Sequence, residues 1–566
     1  MNPNSKVIII TNLTMKFILL VLFNLVSTFA NQDLNPEIST PLGKIQGSTL
    51  VSRLNETIFA FRGVRYAQPP IGDLRFKPPV PVNKWSGVYN ATSDGPVCPQ
   101  PTDDPVSEDC LLLNVYTTEL PDNDNKPKRP VIVYLHPGGF YSVTGRSDWA
   151  GPQYFTDHDI VLVTFNYRLG SLGFISTGED APGNNGLKDQ VLALKWVKNY
   201  IEYFGGDPDM VTLFGYSAGS WSITLHLVSP MSSGLFHKAI IGSGSVLGQW
   251  KLPRNQLELA KKQARLVGCP VLNPKDMIAC LKSIPAEVLG NSLDGFDEFS
   301  YDPVIVWYPV IEDGFGQERF LTEDPIKMFE RGDFQKVPIV IGVTKDEFGN
   351  RAFPILLNAT LTNELSNDFE TYAPICFLYE RETNKSKEIS AALREFYLGN
   401  DPLTNSSLQG IADAFADSII GFAANRAARL ISLKNSEPVY YYEFTYQGRF
   451  SHFYLPDSNN TIPYGVVHHD DLIYLFYISA MFPFFDDSYP ESEMVDKLTL
   501  MWSTFAKTGY PIPETGTILA GINWEPFNIS SNKYLEIGKE IVLKEGLYQE
   551  RYNFWNELFP IRKLCF

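Results

Sequence analysis

The run Val211-Thr212-Leu213-Phe214-Gly215-Tyr216-Ser217-Ala218-Gly219-Ser220-Trp221 decides how this chain is read. Four apolar or β-favouring residues lead directly into Gly-x-Ser-x-Gly, and helix-like text continues to Leu227. The pattern alone says little, because composition would place it in about one chain in five of this length. The frame carries the weight. A strand, a tight turn and a helix present the central serine at a helix N-terminus, where the dipole favours developing negative charge. This is the frame of a nucleophile elbow, with Ser217 at its tip.

Outward from this point the text alternates between β-like runs and helical patterns. Val131–Leu135 ends at Pro137-Gly138-Gly139, and Ile160–Phe165 ends near Asn166. From Gly186 to Tyr203 the apolar residues Leu187, Val191, Leu194, Val197 and Ile201 recur every three to four positions, which predicts a helix. Gly205-Gly206-Asp207-Pro208 should break it before the strand at Val211. Further strands are expected at Ile339–Val343 and Val439–Phe444. Near-continuous apolar strands separated by helices predict an α/β fold with a large, mostly parallel central sheet flanked by helices. There is no internal repeat or low-complexity linker, so residues 31–566 are expected to form a single domain.

An elbow serine needs a base and an acid that orients it, in the chain order serine, acid, histidine. Five of the seven histidines precede the late loop Gly465-Val466-Val467-His468-His469-Asp470-Asp471, which leaves His468 or His469 as base. The acid should end a strand between them, and Asp346 and Glu347 follow the run ending at Val343. Within each pair the residues themselves do not choose. Gly138 and Gly139 follow an early strand and can offer unobstructed N–H groups; with the Ala218 N–H they form a candidate oxyanion hole.

Acidic residues outnumber basic ones 64 to 47, a net charge of −17 that repels phosphate backbones and excludes nucleic acid as a partner. Met15-Lys16, the apolar run Phe17–Phe23 and the small-residue exit Thr28-Phe29-Ala30 read as a secretory signal at residues 1–30, cleaved after Ala30. Its removal leaves a net charge of −19. Sequons at Asn55, Asn90, Asn358, Asn384, Asn405, Asn459 and Asn528 agree with export. So do the closely spaced pairs Cys98/Cys110 and Cys269/Cys280, although six cysteines allow 15 connectivities and leave Cys376 and Cys565 undecided. No later run is long enough for a transmembrane helix, and no membrane anchor, metal or cofactor is expected.

Other motifs carry a resemblance. Phe61-Arg62-Gly63-Val64-Arg65-Tyr66-Ala67-Gln68-Pro69-Pro70, Leu74-Arg75-Phe76, Glu108-Asp109-Cys110-Leu111, Asn166-Tyr167-Arg168-Leu169-Gly170, Gly183-Asn184-Asn185-Gly186-Leu187-Lys188-Asp189-Gln190 and Phe505-Ala506-Lys507-Thr508-Gly509 occur in order. The chain thereby resembles the type-B carboxylesterases, the secreted family that includes insect esterases and cholinesterases. The resemblance implies an α/β-hydrolase fold with a central mixed sheet. It also implies Ser217 as nucleophile, Glu347 as acid and His468 as base, disulfides Cys98–Cys110 and Cys269–Cys280, and a structural Arg75–Glu108 ion pair.

Departures from that family narrow the expectation. Tyr216 stands where many relatives carry Glu and juvenile hormone esterases usually carry Gln. Pro137, which has no N–H, stands where a third Gly is common, and His469 where Gly is common. The loop between Cys98 and Cys110 lacks the tryptophan with which cholinesterases hold a quaternary ammonium. The expected function is hydrolysis of a neutral, largely apolar carboxylic ester as small-molecule substrate. The alternative is a catalytically slow or inactive cholinesterase-like protein that binds or sequesters.

Overall fold

The computed structural model describes residues 35–122, 125–513 and 515–561. The expected signal at 1–30 and Cys565 lie outside the described residues.

Eleven strands form the main sheet: β1 (Ser48–Val51), β2 (Thr57–Arg65), β3 (Leu112–Thr117), β4 (Arg129–Leu135), β5 (Val161–Phe165), β6 (Gly206–Tyr216), β7 (Lys238–Gly242), β8 (Ile339–Thr344), β9 (Val439–Phe444), β10 (Lys533–Ile537) and β11 (Ile541–Glu545). Their spatial order is β1-β2-β3-β5-β4-β6-β7-β8-β9-β10-β11. The seven strands from β5 to β10 run parallel, and antiparallel strands close both edges. This is the mixed sheet of the α/β-hydrolase fold.

Strands β4, β5, β8 and β9 are buried at every position, which explains their near-continuous apolar text. Side-chain alternation divides them between two cores. Val131, Val133, Leu135, Leu213, Ile241 and Ile341 join one core, and Ile132, Tyr134, Phe214, Tyr216, Ile240 and Val340 join the other. Helices α1 (Asn185–Tyr200), α2 (Ala218–Val228) and α3 (Phe422–Lys434) cover the first face; α4 (Ser492–Thr508) covers the second. Helix α2 is buried along its whole length, as its lack of a polar stripe requires.

The helix expected at 186–203 ends as α1 at Tyr200, and a 3₁₀ turn then runs to Phe204. Gly205, at φ 85°, makes the break. Strand β6 starts five residues earlier than expected, because Gly206 already pairs with Arg129 of β4.

The disulfides Cys98–Cys110 and Cys269–Cys280 are both present, and Cys376 is a buried free thiol. Arg75 lies between the two disulfide loops. Its Nε donates to Glu108 Oε1 at 2.7 Å, while Nη1 donates to the carbonyls of Leu281 and Lys282 at 3.1 and 2.9 Å. The buried guanidinium thus joins the first loop to the helix Pro274–Ser283, which carries Cys280. No helix among the described residues is long and apolar enough to cross a membrane.

Candidate active site

Ser217 caps α2 directly after β6, with φ 53° and ψ −117°. Such a conformation is strained for a residue with a Cβ and persists only where its surroundings enforce it. The Ser217 N–H donates to Gly242 O at 3.0 Å, and its carbonyl accepts from Trp221 N at 3.0 Å, so both neighbouring elements hold the turn. Gly219 sets the approach of α2 to the sheet. A Cβ on it would lie 2.0 Å from the Leu135 carbonyl oxygen. Gly219→Ala should therefore push α2 off β4 and disrupt the elbow. Secreted yield and esterase activity are both expected to fall at least about tenfold, read from the medium by immunoblot and ester assay.

The same close approach brings the loop after β4 beside Ser217. His136 stacks on Tyr167 with ring centroids 4.3 Å apart, and Tyr167 Oη donates to His136 O at 3.0 Å. Burial pushes the His136 imidazole down to about 4, so it is a neutral packing element. Gly138 and Gly139 have φ 108° and 57°, conformations that glycine adopts without cost. The N–H groups of Gly138, Gly139 and Ala218 have no acceptor among the described residues, and all three residues line one cavity with Ser217.

His468 enters that cavity from the loop after β9. Its Nδ1 lies 2.5 Å from Glu347 Oε2, and its buried Nε2 has no partner among the described residues. Both side chains are buried, at 6% and 2% exposure, so the contact is shielded from solvent. Glu347 is held in turn by Thr344 N, which donates to Oε1 at 2.8 Å. Phe348 lies over the imidazole with ring centroids 4.2 Å apart.

The neighbouring candidates do different work. Asp346 accepts from Val466 N at 2.8 Å and donates its own N–H to Val466 O at 2.9 Å, which clamps the histidine loop to the end of β8. Asp470 accepts from Val467 N, Ser451 Oγ and His452 N at 3.0, 2.7 and 2.8 Å. His469 is left-handed at φ 83°, and its ring lies between those of His468 and His452.

The cavity has a volume of about 150 Å³. Beyond the residues found from sequence, Trp221, Ile305, Phe348, Ile419 and Ile420 form its walls. Trp221 lies one turn into α2 and stacks on Trp250 with centroids 4.3 Å apart. Ile419 and Ile420 come from a π-helical turn, Asp417–Gly421, just before α3. Their sequence carries no signal for this place; Phe348, adjacent to the candidate acids, could have been flagged. Among the described residues no acidic, lysine or arginine side chain lines the cavity.

A serine on a strained strand-to-helix turn, sharing a cavity with an imidazole backed by a carboxylate, fits a serine hydrolase of the α/β-hydrolase class. Comparison with known proteins narrows this class. The model of the carboxylesterase family matches residues 34–555. Juvenile hormone esterase of Tribolium castaneum is 36% identical over 526 residues, covering 89% of this chain and 88% of that protein. Esterase FE4 of Myzus persicae is 36% identical over 528 residues, covering 90% and 92%. The crystal structure of juvenile hormone esterase from Manduca sexta, with OTFP covalently attached, superposes with a TM-score of 0.81 at 27% identity, covering 93% of this chain and 99% of that one. This chain belongs to the carboxylesterase family, and it is a carboxylic ester hydrolase.

Proposed function

We propose that the protein is a secreted serine carboxylesterase acting on neutral, largely apolar carboxylic esters, with Ser217 as nucleophile, His468 as base and Glu347 as orienting acid. The observation that carries this reading is the placement of His468. Its Nδ1 is bound to Glu347, and its unpaired Nε2 is buried in a residue that lines the cavity with Ser217. Glu347 accepts a hydrogen bond from Nδ1–H, which fixes the tautomer and leaves the Nε2 lone pair free to take the proton of Ser217. Ser217 Oγ attacks the ester carbonyl, and the N–H groups of Gly138, Gly139 and Ala218 stabilise the oxyanion. His468 then protonates the departing alkoxide. Water, deprotonated by the same imidazole, releases the acid from the acyl-enzyme.

The uncharged, largely apolar wall supports the substrate class, since a charged ester would be desolvated there without a counter-ion. The Tribolium juvenile hormone esterase and the Myzus esterase are equally identical to this chain, so identity favours neither as a guide to the ester. Export rests on the signal-like N-terminus, the two disulfides and the sequon asparagines, all seven of which are exposed.

The test is hydrolysis of short-chain nitrophenyl or naphthyl esters by the purified secreted protein. Turnover is expected. Folded protein that neither hydrolyses them nor reacts with a fluorophosphonate would reject the reading in favour of a binding protein. Within the histidine pair, His468→Ala should lower kcat by about 10⁵–10⁶-fold. His469→Ala should leave it within about tenfold, and the reverse ranking would exchange their roles.

A further inference from the structure

Two residues that stand apart in the sequence, Tyr216 and His469, meet in the structure. Tyr216 ends β6 immediately before Ser217, and strand alternation sends its side chain to the sheet face beneath the histidine loop, among Val466 and Leu472. There its hydroxyl accepts the backbone N–H of His469 at 3.1 Å. Its ring packs on both imidazoles, with centroids 5.2 Å from His468 and 5.2 Å from His469.

Other bonds hold the loop on both sides of the base, and after it Leu472 N–H donates to His469 O at 3.0 Å within the loop itself. Asp346 and Asp470 bind the backbone at Val466 and Val467, before His468. The Tyr216 contact falls after it, at a left-handed residue. Tyr216 is also the residue whose register against Gly242 of β7 sets the elbow, since a Cβ at Gly242 would lie 2.8 Å from the Tyr216 ring. One rigid aromatic side chain therefore spans from the residue before Ser217 to the backbone of the residue after His468.

We propose that Tyr216 is a positioning residue, a strut whose hydroxyl sets the placement of His468 relative to Ser217 by accepting the N–H of His469. The inference rests on the esterase reading of Ser217 and His468. A phenol suits this task. Burial pushes its ionisation well above the usual 10, so it stays neutral beside the imidazole that must gain and lose a proton. The buried carboxyl of Asp471, which also accepts from Tyr442 Oη at 3.3 Å, lies against the same hydroxyl.

Tyr216→Phe keeps the ring and removes the acceptor. Among secreted enzyme molecules counted by fluorophosphonate titration, kcat for a short-chain nitrophenyl ester should fall about tenfold or more while KM stays within about twofold, because the loss lies in the alignment of reacting groups and not in the cavity walls. His469→Ala retains the backbone N–H and should keep kcat above that of Tyr216→Phe. Hydrogen exchange of the wild-type segment 465–472 gives a reading independent of any variant's folding, with the His469 amide expected to be protected about 100-fold or more. Unchanged kcat in Tyr216→Phe, or a His469 amide exchanging like an open loop, would overturn the strut while leaving the esterase reading intact. Absence of turnover and of fluorophosphonate labelling in the wild type would instead overturn the reading on which it rests.

Discussion

Ser217→Ala is expected to lower kcat/KM for a short-chain nitrophenyl ester by about 10⁵–10⁶-fold and to leave secreted yield unchanged. The size follows from what the hydroxyl does. Without an oxygen nucleophile there is no acyl-enzyme, and only binding and the oxyanion donors remain, a residue of catalysis known in other serine hydrolases. The neutrality toward folding follows from the backbone. The turn at φ 53° and ψ −117° is imposed by Ser217 N–H to Gly242 O and Trp221 N–H to Ser217 O, and both contacts use main-chain atoms that alanine retains. Alanine also has the same Cβ and therefore the same strain. The comparison needs secreted yield, thermal midpoint and kcat/KM measured together. Residual activity within about tenfold of wild type, with the same yield, would remove Ser217 from the mechanism.

Glu347→Gln should cost about 10⁴-fold in kcat, whereas Asp346→Asn should cost no more than about tenfold. The asymmetry comes from hydrogen-bond direction. Thr344 N–H points at one oxygen of the Glu347 side chain at 2.8 Å, so a glutamine must put its carbonyl there. Its NH₂ then faces His468 Nδ1, where Glu347 Oε2 stood at 2.5 Å. An NH₂ donates and does not accept, so Nδ1 must give up its proton and Nε2 must carry one. That tautomer cannot take a proton from Ser217. Asn at 346 can still accept the Val466 N–H through its carbonyl oxygen and keep the loop clamp, which accounts for the smaller loss. Steady-state kinetics on the two purified variants decide the matter. A larger loss in Asp346→Asn would assign the acid to Asp346.

The comparison of these two neighbours shows how far the text reached. Local patterns recorded what is set locally. The apolar run into Gly215-Tyr216-Ser217-Ala218-Gly219 placed the strand, the turn and the helix, because strand burial and the close approach at Gly219 restrict residue type at single positions. The near-continuous apolar strands indicated a parallel sheet covered on both faces, and β4, β5, β8 and β9 are buried throughout. The short Cys98–Cys110 and Cys269–Cys280 loops were visible as spacings.

Other features had no local record. Asp346 and Glu347 are adjacent, equally acidic and follow the same strand, and His468 and His469 are identical in type. Which carboxylate reaches which imidazole depends on two loops 121 residues apart and on the Val466 backbone that engages Asp346. The walls formed by Ile305, Ile419 and Ile420 are ordinary apolar residues in the text, recruited to the cavity by packing alone. Tyr216 and His469 looked like two unrelated departures until the fold placed one hydroxyl 3.1 Å from the other's N–H. Sequence determined the elements and narrowed the candidate acid and base to two adjacent pairs, since strands and turns follow from burial periodicity and backbone sterics over a few residues. From the residues themselves the choice within each pair stayed open, and the tertiary structure shows which carboxylate meets which imidazole, because the direction in which a loop side chain points is set by contacts with residues far away in the chain.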